Sequence, residues 1–305
     1  MKRKIKDKAA SIRAKLMNIA RAEQIDFDAL LLRYFQERFL YRLAISKYSD
    51  RFILKGGLLL ICLGMPRSRP TKDIDFLVEK VKNDTAELER IIRKILEISC
   101  NDGVKFIPSS VTSKRIKEET DYEGIRLKIN ATLGQARKRL QLDIGFGDVI
   151  IPQAELMEFP TLLEESPPTI RVYSIESIVS EKFEAMVKLA MANSRMKDFY
   201  DVYTLSVSRN FLYNRLKKAI ESTFQRRKTP IPDNPLVFRS EFHNDAERQK
   251  QWVAFLRKSR LHDVRREFNG IMERITAFLK PIVLSIKNKP SMDKSWDAGE
   301  GLWKK

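Results

Sequence analysis

The sequence is poor in the residues from which many kinds of site are built. Among 305 residues it has two cysteines, Cys62 and Cys100. That excludes a disulfide framework and a four-cysteine zinc site. Two histidines, His243 and His262, leave little material for a His-rich metal centre or a histidine relay. Eleven glycines and twelve prolines exclude a collagen-like chain or a Pro/Gly-dominated disordered one. No apolar run approaches the roughly 18 residues needed to cross a bilayer, so no membrane partner is expected. The basic start, MKRKIKDKAAS, has no apolar segment behind it, so a secretory signal is not expected. A reducing cytoplasm is the expected compartment.

What the chain has is positive charge: 58 Lys+Arg against 40 Asp+Glu, a net +18. Its distribution says more than its total. Residues 1–50 carry a net +6, residues 51–208 a net +1 and residues 209–305 a net +11. A nearly neutral centre between two basic flanks is the footprint expected for a polyanion, because each neutralised phosphate releases counterions. A small nucleotide does not need such flanks, so a long nucleic acid is favoured over it. A solvated basic surface that aids solubility is the plain alternative.

Hydrophobic periodicity gives a coarse order. Residues 9–24 and 27–46 read as helices, the second with Leu31, Phe35, Phe39 and Leu43 at helical spacing. A short strand at 52–54 runs into Gly56-Gly57 and a helix over 58–63. Residues 73–78 read as a strand. Residues 85–99 read as a helix, with Asp84 and Glu87 spaced as a capping box. Strands follow at 125–131, 140–146 and 170–173. Helices are expected over 175–192 and 197–207, and nearly everything beyond is expected to be helical. The sequence after Pro290 has weak periodicity and is expected to be mobile. The order predicts an α+β chain: a helical lead-in over 1–50 packing on the core, an α/β core over 51–168 and a helical C-terminal domain over 169–305.

One constellation carries chemistry. Gly56-Gly57 is followed by 15 residues and then by Asp73-Ile74-Asp75. In a strand, residues i and i+2 share a face, so the two carboxylates project side by side while Ile74 turns to the core. Adjacent like charges call for a cation between them, and hard oxygen ligands suit a divalent metal. Asp143, between Leu142 and Ile144 in its own strand, is a third candidate. Three carboxylates on neighbouring strands can hold two Mg²⁺ ions for an in-line displacement at phosphorus. Glycines at 56 and 57 let backbone N–H groups approach a triphosphate. A lone D-x-D or GG is common in proteins, and the weight rests on the combination. From spacing alone Lys182 reads more readily as an exposed helical lysine, and Asp198 equally as an acid in a first helical turn. Tyr200 and Tyr203 could stack on a base, against the commoner reading of core packing.

The wider pattern resembles a known family. The stretches LKGG (54–57), RPTKDIDF (69–76), LDIGFGD (142–148), SIESIVSEKF (174–183) and RMKDFYD (195–201) are similar to the AbiEii/AbiGii toxins. These are bacterial nucleotidyltransferases of toxin–antitoxin and abortive-infection systems, within the polymerase-beta-like superfamily. The motifs span residues 54 to about 205. The resemblance implies a polymerase-beta-like core and a Mg²⁺-dependent enzyme, with Mn²⁺ able to stand in. It would transfer NMP from an NTP to an RNA acceptor, with a tRNA 3′ end leading, under the control of a cognate antitoxin. Asp73 and Asp75 would bind the metal, with Asp143 as the superfamily's third carboxylate. Gly56 and Gly57 would hold the phosphates, with Lys55 and Thr71 beside them as further nucleotide contacts; Arg69 is a candidate phosphate contact on its charge, against the plain reading of a loop arginine pairing with an acid. Lys182 would approach the triphosphate, and Asp198 would orient it or the lysine. The family often has GS where this chain has GG, so position 57 contributes backbone only. The alternatives are a non-catalytic nucleic-acid-binding protein with a degenerate core, and nucleotidyl or phosphoryl transfer to a protein hydroxyl.

Overall fold

The computed structural model describes residues 7–65, 69–117, 123–261, 267–288 and 293–305, so His262 lies outside the described residues. The chain divides into two compact units. The first comprises Met1–Leu63, Pro70–Gly147 and Glu155–Val172; the second comprises Gly64–Arg69, Asp148–Ala154 and Tyr173–Lys305.

The first unit opens with helices α1 (Lys8–Ala22) and α2 (Phe27–Ala44), each started by an aspartate whose side chain accepts a backbone N–H three residues on. Strand β1 (Phe52–Lys55) leads directly into α3 (Gly56–Cys62). This helix starts two residues earlier than its apolar run indicates, because Gly56 takes φ +71 and turns the chain at once. Then come β2 (Asp73–Val78), α4 (Thr85–Leu96), β3 (Val104–Phe106), β4 (Thr112–Lys117), β5 (Glu123–Leu133), β6 (Ala136–Phe146), β7 (Glu155–Glu158) and β8 (Thr169–Val172). All eight strands form one mixed sheet in the order β3-β5-β6-β2-β1-β8-β7, with β4 also paired to β5. Strands β3, β4 and β7 escape the periodicity reading. The first is three residues long, β4 (TSKRIK) has too few apolar residues to alternate, and the side chains of β7 (ELME) are largely exposed.

Alternation along the strands sorts the sheet's two faces. Ile74, Ile125, Leu127, Ile129, Leu140, Leu142 and Ile144 are buried on one of them. Helix α2 brings Phe39 against Phe76 and Phe106 and donates from Gln36 to the carbonyl of Lys72, which fixes the entry to β2. Arg42, also on α2, makes a bidentate pair with buried Asp102. Strands β5 and β6 are joined by Gly134-Gln135, with Leu133 opposite Ala136. Gly134 has φ +58, the sign a type II′ turn needs at its first position.

The second unit holds α5 (Ile175–Leu189), α6 (Met196–Ser208), β9 (Phe211–Leu212), α7 (Tyr213–Arg226), α8 (Ser240–His243), α9 (Ala246–Lys258) and α10 (Phe268–Asn288). It closes with a hairpin, β10 (Ser295–Asp297) and β11 (Leu302–Lys304), which joins β9 in a three-stranded sheet. The expectation of a mobile tail is therefore corrected over these strands. Trp296 is fully buried and donates to the carbonyl of Ser206, while Trp303 stacks on Phe278. Two indoles seven residues apart anchor a segment too short to show periodicity. Tyr200 packs against Trp252 and Phe255, the core role rather than the base-stacking one. Buried His243 contacts the carbonyl of Val237 through Nε2. Among the described residues no helix is long and apolar enough to cross a membrane.

Candidate active site

Strand register in the first unit assembles a row of charge. Lys55 lies opposite Asp75, Asp75 opposite Asp143, and Asp143 opposite Arg126. Cross-strand partners share a face. Lys55, Asp75, Asp143 and Arg126 thus form a line across β1, β2, β6 and β5, with signs plus, minus, minus, plus. Asp73 joins the same face two residues before Asp75 and opposite Gln141. All of these side chains keep partial access to solvent, whereas Ile74, Leu142 and Leu54 on the other face are buried.

The glycine pair closes on this row. A Cβ at Gly56 would overlap the Asp75 carboxylate, and its φ of +71 already disfavours a side chain. A Cβ at Gly57 would come within 2.8 Å of the Thr71 Cβ. That contact explains GG in place of GS: Thr71 fills the space a serine would need. Thr71 itself donates to the carbonyl of Asp73 at 3.3 Å. Lys55, Gly56, Gly57, Thr71, Asp73, Asp75 and Asp143 thus come from one unit and converge on β1, β2 and β6.

The third carboxylate is not shared with the other two. Arg126 donates Nε to one oxygen of Asp143 at 2.8 Å and a terminal N–H to the other at 2.7 Å. The hydrogen bond to Asp143 leads in raising the Arg126 pKa, and the fields of Asp73 and Asp75 add to it. Among the described residues no group of three His, Cys, Asp or Glu side chains stands ready to hold a metal ion. The donor set that fits a hard cation is the Asp73–Asp75 pair on one strand face, completed by oxygens from a ligand. Arg126 was missed by the sequence reading, since only the β5–β6 register reveals that it faces Asp143.

Arg69, Lys182 and Asp198 belong to the second unit. Lys182 on α5 contacts Asp198 at 2.6 Å and Asp201 at 2.8 Å, both on α6 and both buried. Arg69 donates two hydrogen bonds to Asp201, each 3.0 Å, and Arg195 pairs with Asp198 at 2.7 Å. Burial works against the Lys182 ammonium, but Asp198 and Asp201 outweigh it and raise its pKa. Burial likewise opposes the Asp198 carboxylate, yet Lys182 and Arg195 bring its pKa down to about 2. Asp201 joins the cluster because it lies one helical turn beyond Asp198, a spacing legible in sequence.

A family profile described as "Nucleotidyl transferase AbiEii toxin, Type IV TA system" matches residues 38–274. The chain belongs to this family. Membership in the AbiEii family makes it a nucleotidyltransferase toxin of a type IV toxin–antitoxin system, which implies a nucleotide substrate and a partner antitoxin. No curated protein matches the sequence. Two solved structures from Helicobacter pylori are similar. One, a presumed nucleotidyltransferase, is 16% identical with a TM-score of 0.49, covering 88% of this chain and 100% of its own. The other, JHP933, is also 16% identical with a TM-score of 0.49, covering 86% of this chain and 94% of its own.

Proposed function

We propose that this AbiEii protein transfers NMP from an NTP to a hydroxyl of an RNA acceptor, with a tRNA 3′ end as the leading candidate. The observation that carries the proposal is the close approach of Gly56 to Asp75. A position that only glycine can fill, beside a carboxylate pair on an accessible sheet face, suits a phosphate chain lying against backbone. Gly56 and Gly57 would seat the triphosphate, with Lys55 adding a positive charge to the row.

Asp73 and Asp75 would hold Mg²⁺, or Mn²⁺ in its place. A bound divalent ion supplies neutralisation of the phosphate charge and of the departing pyrophosphate. The acceptor hydroxyl loses its proton to solvent as its oxygen bonds to the α-phosphorus, the bond to the β-phosphate oxygen breaks, and pyrophosphate leaves with that electron pair. Asp143, held by Arg126, gives the row a fixed third carboxylate. Lys182 would contribute a compact cation for phosphate, held protonated by Asp198 and Asp201. Arg69, tied to Asp201, would position that acid rather than touch nucleotide. Modification of tRNA ends in the cytoplasm would arrest translation until the antitoxin restrains the enzyme.

The test is a transfer assay with each α-labelled NTP, Mg²⁺ and total RNA. Label is expected on RNA with the wild-type chain and to fall by more than ~100-fold with Asp73→Ala/Asp75→Ala, as loss of central charge stabilisation implies. EDTA is expected to stop the reaction and Mn²⁺ to restore it. Label on protein instead of RNA would replace the acceptor in this reading. RNA binding with no label anywhere would end it.

A further inference from the structure

We propose that the solvent face of β3, β5 and β6 is a track for the phosphate backbone of RNA, running along β6 to the carboxylate row. The inference rests on the transferase reading for its purpose, and on charge and register for its substance.

Every second residue of β6 faces the same way as Asp143: Gln141, Arg139 and Arg137. Opposite them on β5 lie Lys128, Asn130 and Thr132, and Lys105 of β3 sits across from Thr132. Lys105, Arg137 and Arg139 are exposed, and Lys128 is half-buried. Ile107, Asn130, Thr132, Arg137 and Arg139 help line a hollow of about 550 Å³.

The two faces of this hairpin treat their cations differently. On the face packed by α2, Lys138 pairs with Asp28. On the open face, none of Lys105, Lys128, Arg137 and Arg139 has an acidic partner among the described residues. Lys105, Arg137 and Arg139 are left to solvent on one face, with Lys128 half-buried beside them and no acidic partner among the described residues.

The geometry favours RNA over an acidic protein. Same-face residues on a strand are roughly 7 Å apart, comparable to the separation of successive phosphates in a single strand. From Arg137 to Asp143 the strand covers roughly 20 Å, enough for several nucleotides. The track ends at Asp143 and Asp75, where an acceptor end has to arrive. Its cations lie within the nearly neutral central region of the sequence, whose balance of signs hides them.

The experiment compares wild type, Lys105→Gln/Arg137→Gln/Arg139→Gln, and a control on α9, Lys250→Gln/Arg257→Gln/Lys258→Gln. Affinity for labelled total tRNA is measured across a salt series, beside NTP binding and transfer kinetics. The track variant is expected to bind tRNA roughly tenfold more weakly near ~150 mM salt. Its slope of log affinity against log salt is expected to fall by about 2 to 3, as loss of three phosphate contacts requires. KM for RNA is expected to rise while NTP affinity and kcat at saturating RNA stay unchanged. Wild-type binding by the track variant, or the loss appearing in the α9 control instead, overturns the proposal. So does impaired capture of the cognate antitoxin with RNA binding unchanged. A wild-type chain that binds RNA through the track yet transfers no label sinks the transferase reading and leaves the track standing.

Discussion

At Gly56 two constraints meet, a positive φ and the Asp75 carboxylate. Gly56→Ala is therefore expected to cost about 1–3 kcal/mol in strain and to displace the carboxylate. Transfer activity should drop far more than urea stability does, and a parallel measurement of both checks this. Arg126 gives a second test at this scale. With Arg126→Ala the Asp143 oxygens lose both hydrogen bonds from the guanidinium and keep only the one from Gln141, so Mn²⁺ should bind the chain several-fold more tightly, read by electron paramagnetic resonance of free Mn²⁺. Unchanged Mn²⁺ affinity would show that Asp143 does not share a cation with its neighbours. The Lys182–Asp198 pair sets a pH expectation. The Asp198 pKa lies below the ordinary value of roughly 3.9, so its contribution is present above pH ~4 and fades as pH falls toward 2. Lys182 is raised, so its contribution holds below pH ~10.5 and is lost only above. Asp198→Asn should flatten the acid limb of a urea-unfolding profile and leave its shape between pH 5 and 9 unchanged. The shared face of Asp73 and Asp75 and the tight turn at Gly56 were legible because strand alternation and backbone clearance follow from residue type, whereas Lys182 was singled out only through the family resemblance. Arg126 was not, because pairing across strands depends on register.

At the scale of elements, α5 and α7 are tied by an arginine whose side chain is only 6% exposed. Arg227, one residue past α7, meets Asp148 at 3.2 Å, Glu181 at 3.5 Å and Glu184 at 2.9 Å. Tyr173 donates to Glu181, and Thr229 to Glu184. Burial opposes the Arg227 charge, but Glu181 and Asp148 outweigh it and raise its pKa. Arg227→Met strands three acids around one hole. It should cost about 3–5 kcal/mol, the usual penalty for breaking one side of a buried pair, measured by urea denaturation. The helices themselves were readable from apolar spacing, and so were the long central strands. Edge strands β4 and β7 were not, since a strand that buries little needs little hydrophobic pattern. For the same reason the β10–β11 hairpin hid behind two tryptophans in a polar tail.

For the whole molecule, the family profile spans residues 38–274, beyond the motif stretch of 54 to about 205. Charge counted along the sequence pointed to the two flanks, whereas the sheet gathers, within the balanced centre, a set with no acidic partner among the described residues. Sequence order cannot show that, because opposite charges close in sequence separate onto opposite faces once a strand forms. Removing residues 293–305 should expose Phe278 and the Ser206 carbonyl. A melting temperature lower by several degrees would check it.

The two-residue turn at Gly134-Gln135 has one more consequence. It counts every pairing between β5 and β6 from a single origin. One inserted codon there would slip the ladder by a residue and invert β6. Leu140 and Leu142 would face water, and Arg139 and Asp143 would face the core. Relatives that vary freely elsewhere should therefore keep this turn at two residues, since a length change there alters the identity of a whole surface at once.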